Sequence, residues 1–439
     1  MNARIATPTM LTLALLAACR DATGPMPASI EPRVASVQVR QVALTLNVGE
    51  SRQIDVTLRD AKSNVVSRAI VYASSNPAVA TVSSWGLVTA VGLDTCTIKA
   101  TSEGQSAAVT VAVVPVPRPQ LLPQQAFLWT AAGGLTDLGV PPGFTSSRAI
   151  AINAVGQVVG IGGNDAQTHA LLWSASGAVR DLGTLPGDDW SSAAAINSLG
   201  QVAGQASING RYHAVVWSPT GVIRDLGTLP GDVASAATGV NDAGQVVGNS
   251  YPPAQGPPRL FIWTEAGGMV EPLNIDPYFV IGHSINRAGL IVGEISSSTD
   301  VRLPLMALRA TAAGRPQPLA SLPGYFSSAA YAINDAGDAV GSATSCLNND
   351  CADFDSFAHA ILWTGAGGAV DLGALTGFDA TGSAAWGINN RGQVVGQSGS
   401  RAFLWSQAGG FVDIGALSLR NWSVALGVND AGRVVGSSR

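Results

Sequence analysis

Apolar and polar residues alternate along most of this chain in short runs, each bounded by Gly, Pro, Asn, Asp or Ser. Period-two alternation places successive side chains on opposite sides of a strand, so the pattern predicts β-structure throughout. Between residues 34 and 114 such runs fall at 34–39, 53–58, 69–72, 79–82, 87–91, 96–100 and 108–113. Roughly seven strands in about 80 residues is the spacing of a β-sandwich.

From residue 126 to 439 the pattern repeats itself. Asn, two residues, Gly, three residues, Gly occurs at Asn153, Asn197, Asn241, Asn286, Asn334, Asn389 and Asn429. The first glycines are Gly156, Gly200, Gly244, Gly289, Gly337, Gly392 and Gly432; the second are Gly160, Gly204, Gly248, Gly293, Gly341, Gly396 and Gly436. The block reads as a tight hairpin: Asn starts the turn by bonding nearby backbone, and the first glycine takes the left-handed position that closes it. A second hairpin precedes each block, entering on Trp129, Trp173, Trp217, Trp263, Trp363 or Trp405, with Arg309 in the fifth copy. Two hairpins per unit make four antiparallel strands, the content of a propeller blade. One blade cannot bury both faces, so neighbours must stack and the ring must close. The expected fold is all-β: an immunoglobulin-like β-sandwich followed by a seven-bladed β-propeller. The region opens on a Trp hairpin and ends on an Asn hairpin, so residues 424–437 are expected to pair with 126–139 in one composite sheet.

Three resemblances refine this. The stretch Ser74-Ser-Asn-Pro-Ala-Val-Ala-Thr-Val-Ser83, with Gly86-Leu-Val-Thr-Ala and Ile98-Lys-Ala-Thr-Ser, resembles group 2 bacterial immunoglobulin-like domains, which implies a spacer of a surface protein. Ala126-Phe-Leu-Trp, His169-Ala-Leu-Leu-Trp, His359-Ala-Ile-Leu-Trp and Asp225-Leu-Gly-Thr-Leu-Pro-Gly resemble the HAF family of extracellular repeats, which implies outward display and supplies no catalytic residues. Residues 1–19, with Arg4, an apolar stretch and Leu16-Ala17-Ala18-Cys19, resemble a bacterial lipoprotein signal whose Cys19 would carry the lipid; two acyl chains on one residue give stable anchoring. Residues 20–33 then read as a tether, 34–114 as the immunoglobulin-like domain and 115–125 as a Pro-rich linker. The chain is expected to be exported and lipid-anchored in the cell envelope, at the outer membrane or cell surface.

Charge narrows the partners. Charged residues make up only 12%, the formal net charge is −5, and the lysines are Lys62 and Lys99. Nucleic-acid binding needs a basic stripe, and none is present. The expected partner is a glycan or a surface protein, bound by a monomer without a cofactor. Cys346 and Cys351 lie close enough in one insertion to pair in an oxidising compartment, while Cys96 reads as a small buried hydrophobe. The same insertion carries Asp350, Asp353 and Asp355, weak calcium candidates without EF-hand spacing.

Specificity is expected in the irregular connections, because variable loops on a rigid scaffold are where binding sits. These hold Asp188, Asp189, Trp190, Arg211, Tyr212, Tyr251, Tyr278, Tyr325, Phe326, Phe378 and Trp422. Aromatic faces beside carboxylates suit sugar rings. Repeated residues read as architecture: His169, His213 and His359 share one repeat position, and Asp137, Asp181, Asp225, Asp371 and Asp413 another. His283, on an inner strand, stands alone. No zinc-binding, nucleophile-elbow or phosphate-loop motif is present, so no catalytic residue is assigned. A surface binding or adhesion protein is the leading reading, with a carbohydrate-active enzyme using the channel, or an envelope scaffold, as alternatives.

Overall fold

The computed structural model describes residues 32–115, 124–253, 256–272, 279–296, 305–311, 316–345, 357–375, 382–417 and 422–439. Among these there is no α-helix, and hence none long and apolar enough to cross a membrane.

In the N-terminal module, Ala43–Asn47, Gln105–Val114, Asp94–Ser102 and Val71–Ser74 form one sheet, with the first two strands parallel. Ser51–Gln53, Leu87–Ala90 and Ala80–Val82 form a second, and Ser36–Val39 pairs with Val56–Arg59. The inward residues of both sheets, including Leu46, Ile54, Val88, Ile98 and Val111, make one core that also takes in the reduced Cys96.

The described residues from 124 onward form seven four-stranded antiparallel sheets. A representative one runs Ser191–Ile196, Val202–Ile208, Arg211–Trp217 and Ile223–Gly227 in sequence order. The exception joins the two ends of the region: Gln125–Thr130 pairs with Val434–Ser438, in register from Gln125↔Ser438 to Trp129↔Val434. Apolar side chains pack between consecutive sheets; Val159 and Ala170 of one meet Ala193, Val202 and Trp217 of the next. Each fully buried Val or Leu contributes roughly 1.5–3 kcal/mol.

The recurring block does three separate jobs. At the turn, the Asn carbonyl accepts the first glycine's N–H, as at Gly156 to Asn153 (3.1 Å), and that glycine has φ between 71° and 86° in all seven copies. The Asn side chain then reaches sideways. Its Nδ2 donates to the backbone carbonyl of the next repeat's Asn: 153 to 197, 197 to 241, 241 to 286, 286 to 334, 334 to 389, 389 to 429, and finally 429 back to 153, at 2.8–3.2 Å. Seven buried amides thus form one hydrogen-bonded cycle. The second glycine allows close packing: a Cβ there would lie 1.8–2.1 Å from a carbonyl oxygen of the neighbouring inner strand in every copy, for example Ser192 O at Gly204.

Two further devices fasten sheet to sheet. Six residues before the block Asn stands a serine whose Oγ accepts a backbone N–H from the preceding sheet: Ser147 from Ala126, Ser191 from Ala170, Ser235 from Ala214, Ser328 from Ala307, Ser383 from Ala360 and Ser423 from Ala402. On the outer strands, Asp181, Asp225, Asp371 and Asp413 accept the N–H of the glycine two residues on, at 2.8 Å. They also meet His169, His213, His359 and Arg401, and Asp371 accepts the Tyr325 hydroxyl as well, so these repeated charges are bound up in the frame.

Candidate functional site

The inner strands are Ser146–Ile152, Ser191–Ile196, Ala234–Val240, Phe279–Ile285, Tyr325–Ile333, Ser383–Ile388 and Ser423–Val428. Each breaks register with its partner three residues before the block Asn. A bulge of this kind puts two residues opposite one, and so re-aims a side chain. The bulged residues are Ile150, Ala194, Thr238, His283, Tyr331, Trp386 and Leu426. All seven line one cavity of about 490 Å³, within the ~300–1,000 Å³ range of small-molecule sites.

This chamber is lopsided. On one side Tyr331 and Trp386 stack with ring centroids 4.6 Å apart and planes at 24°, and His283 meets Tyr331 edge-on at 5.4 Å. Ala194 and Thr238 are the small members of the girdle. Behind the arc, Glu294 Oε1 lies 3.5 Å from His283 Nε2, and the Tyr331 hydroxyl is 3.1 Å from Ser342 Oγ. Burial first, with the Glu294 charge behind it and against the Ser342 hydrogen bond, pushes the Tyr331 phenol above its ordinary range. Trp386 Nε1 is buried without a hydrogen-bond partner among the described residues.

A ring of Ile152, Ile196, Val240, Ile285, Ile333, Ile388 and Val428 borders this chamber and also a second, more polar cavity of about 360 Å³ at the Asn turns. The second cavity is internally satisfied. Arg287 pairs with Asp242 at 2.9 Å, and Asp335, Asn390 and Asp430 accept the backbone N–H groups of Arg287, Asp335 and Asn390. Burial raises the Asp242 pKa, but its bonds to Arg287 and Ser198 outweigh that and hold it below the ordinary carboxylate range.

The structure places the connection residues in several different settings. Trp190 is 3% exposed and its ring lies 4.7 Å from that of Tyr212, so it is a core wedge and not a surface platform. Arg211 is already engaged: its Nη2 donates to the Val91 carbonyl of the N-terminal module at 2.7 Å, which places that module against this part of the connection face. The Tyr325 hydroxyl lies 2.7 Å from both His359 Nδ1 and Asp371 Oδ2; burial, reinforced by Asp371, drives its pKa far up. The Trp422 ring is covered by the Arg439 guanidinium at 4.5 Å. In the 188–190 loop, the Asp188 N–H points at Leu185 O and the Asp189 carbonyl accepts from Thr168 N, so both belong to local turn structure. Tyr251 and Phe326 are exposed at 39% and 47%. Tyr278, Phe378, Cys19, Cys346, Cys351, Asp350, Asp353 and Asp355 lie outside the described residues. Among the described candidates, Trp190 and Tyr212 are the pair brought into ring contact.

Of the girdle, sequence reasoning singled out only His283. The signal was available: three residues before an invariant Asn, the seven copies read Ile, Ala, Thr, His, Tyr, Trp and Leu. Repeated devices surround a position that does not repeat.

Residues 33–113 match the bacterial Ig-like domain (group 2). That assigns the N-terminal module. No curated protein matches the chain. Among solved structures, streptogramin B lyase is 12% identical, covering 72% of this chain and 98% of its own, with a TM-score of 0.44. A protein assigned as TolB from Agrobacterium tumefaciens is 11% identical over the same shares, with a TM-score of 0.41. Domains 4 and 5 of the S-layer protein SbsC are 25% identical over 19% of this chain, with a TM-score of 0.18; the chain spans about half, 53%, of that fragment.

Proposed function

We propose that this is an exported bacterial cell-surface binding protein, anchored through lipid at Cys19. Its immunoglobulin-like module is the spacer, and its HAF-type region is a seven-bladed β-propeller that binds its ligand without chemistry. One observation carries the reading. Asn, Gly and Ser devices recur from sheet to sheet, whereas the bulged position three residues before each block Asn carries seven different side chains around a central chamber. A rigid frame with variation confined to an inward girdle is the arrangement expected of a binding site. The Ig-like match supports surface display, since such domains act as spacers in surface proteins.

The test is a panel of immobilised glycans and matrix proteins probed with the purified full chain and with Ala194→Phe, which fills the chamber. Trp386→Leu serves if that variant misfolds. Capture by the wild type that is lost in the variant, without product release, supports the reading. Capture unaffected by either variant moves the ligand to the connection face, and product release from a polysaccharide moves the protein to the carbohydrate-active class.

A further inference from the structure

The immunoglobulin-like module is held against the ring by more than one bond. Besides the Arg211 bond to the Val91 carbonyl, the two interlock through glycines. A Cβ on Gly210 of the ring would lie 3.3 Å from Leu93 Cδ2 and 3.4 Å from Val48 Cγ2 of the module. A Cβ on Gly49 of the module would lie 3.2 Å from Val233 Cγ2 of the ring. Each surface thus sets a turn without a side chain against an apolar side chain of the other.

Two neighbouring connections carry the contact. Asn209 and Gly210 form a two-residue turn between Ile208 and Arg211, both at positive φ, the tight hairpin that Asn-Gly favours. The same connection in the next sheet runs from Ser250 to Arg259, so the module sits over a short one. Val233 belongs to the following connection, between Gly227 and Ala234. A single bond would be a pivot; contacts on two connections fix a direction.

The strands of the module set what lies at its other end. Val48, Gly49, Val91 and Leu93 gather where Gln105–Val114 ends: the Val48 N–H donates to Val114 O, the Gly49 N–H to Ala90 O, and Asp94 pairs with Val113. Val34, where the chain enters, donates its N–H to Glu103 Oε2 at 2.8 Å, beside the turn that starts the same strand. That strand of 10 residues spans roughly 30 Å. Chain entry and ring contact therefore lie at opposite ends of the module.

We infer that the module is a strut socketed on the connection face, holding the Asn-turn face of the ring, with the cavity of Asp242, Arg287 and Asp335, away from the end where the chain enters. The socket stands on these contacts alone; that the entry end points to a membrane rests on the lipid-anchor reading above. The surface offered outward is then the Asn-turn mouth and not the variable connections.

Disulfide trapping in the full chain tests the socket. The Gly49 Cβ position lies 3.9 Å from Val233 Cβ, within the ~3.5–4.5 Å that a disulfide spans. Cys346→Ser and Cys351→Ser remove competing thiols, and Cys96 is buried. In that background Gly49→Cys with Val233→Cys should link fully under mild oxidation. Gly104→Cys with Val233→Cys is the control: Gly104 shares the left-handed backbone, at φ 82°, but sits at the far end of the module, and should stay unlinked. Adding Arg211→Ala and Leu93→Asp should slow linking of the first pair by about tenfold or more, because the effective concentration falls once the module swings. Equal linking of both pairs, or none of the first in a protein with wild-type fluorescence, overturns the socket. If Gly49→Cys misfolds, small-angle scattering decides: a compact chain that lengthens in the Arg211→Ala, Leu93→Asp variant supports the socket, and a broad distribution unchanged by it overturns the socket. On vesicles carrying the lipidated chain, a dye on Thr220→Cys, in a turn on the Asn-turn side, should lie farther from a lipid acceptor than one on Asp188→Cys in the connections; the reverse order overturns the orientation. Failure to bind vesicles while the trap still forms refutes the lipid anchor alone.

Discussion

Asn197→Ala cuts one link of the amide cycle, and its cost can be worked from the contacts. Asn197 is 4% exposed. Its Nδ2 donates to Gln201 Oε1 (2.8 Å) and Asn241 O (2.9 Å), and its Oδ1 accepts from Gln201 N (2.9 Å) and Leu199 N (3.1 Å). Leu199 is exposed, so water replaces that bond. The Asn241 carbonyl keeps a second bond, from Gly244 N at 3.0 Å, and so loses one of two. The Gln201 N–H loses its acceptor. A typical bond is worth about 1 kcal/mol net and a stranded buried donor costs ~1–3 kcal/mol, so the sum is ~2–4 kcal/mol. Asn429→Ala removes the link back to Asn153 and the acceptor of the Ala431 and Arg433 N–H groups, but no counterpart of the Gln201 Oε1 bond, since Arg433 stands there; it should cost ~1 kcal/mol less than Asn197→Ala, ~1–3 kcal/mol, despite lying ten residues from the end of the chain. Urea unfolding followed by tryptophan fluorescence reads this, because of ten tryptophans only Trp85 precedes residue 126. If Asn197→Ala is strongly destabilising while Asn429→Ala changes stability by less than ~0.5 kcal/mol, the cycle does not close in solution.

Other expectations follow from the same contacts. Gly204→Ala forces a Cβ to 2.0 Å from the Ser192 carbonyl and should prevent folding in expression trials, whereas Gly177→Ala, at φ 91° in open space, should cost only ~1–2 kcal/mol by denaturation. Ser191→Ala strands the Ala170 N–H in the interior and should lower stability by ~1–3 kcal/mol in urea. For Asp181, Asp225 and Asp371, burial raises the pKa, but bonds from His169, His213 and His359 and from glycine N–H groups outweigh it, leaving each below 3.8. The unfolded chain therefore takes up protons first on acidification: their contribution is full above about pH 5 and is lost as the pH falls through the folded values. Urea midpoints between pH 6 and pH 2.5 should drop accordingly, and the Asp→Asn triple variant should drop less. Deleting residues 423–439 removes half of the composite sheet and should abolish the cooperative fluorescence transition; an unchanged midpoint would count against the pairing.

Much of the frame was legible because it depends on residues that cannot be exchanged. A left-handed turn requires Gly156 and its counterparts, and Asn153 is needed both for the turn and for the cycle, so both stand out as invariant columns. The sideways reach of the Asn amide was not legible, since the turn alone already accounts for Asn. Nor was the job of the second glycine: a strand glycine signals close approach but does not name the backbone that approaches. Ser191 and its equivalents were passed over because serine is common in loops and its bond crosses to another sheet. The placement of the candidate aromatics was not legible for a related reason. An aromatic residue in an irregular connection can face solvent or fill a gap, and only the structure shows Trp190 beside Tyr212 and Trp422 under Arg439. The bulge that turns Trp386 and Tyr331 inward is a two-strand property, visible only once register is known.

Amide hydrogen exchange of the unmodified protein tests the architecture on which everything else stands. If Gln125–Thr130 and Val434–Ser438 truly complete one sheet within a ring, the last strand should exchange only through global opening, with the same free energy as the interior strand Val202–Ile208. Exchange of Val434–Ser438 through an early local opening, while Val202–Ile208 stays protected, would contradict the account.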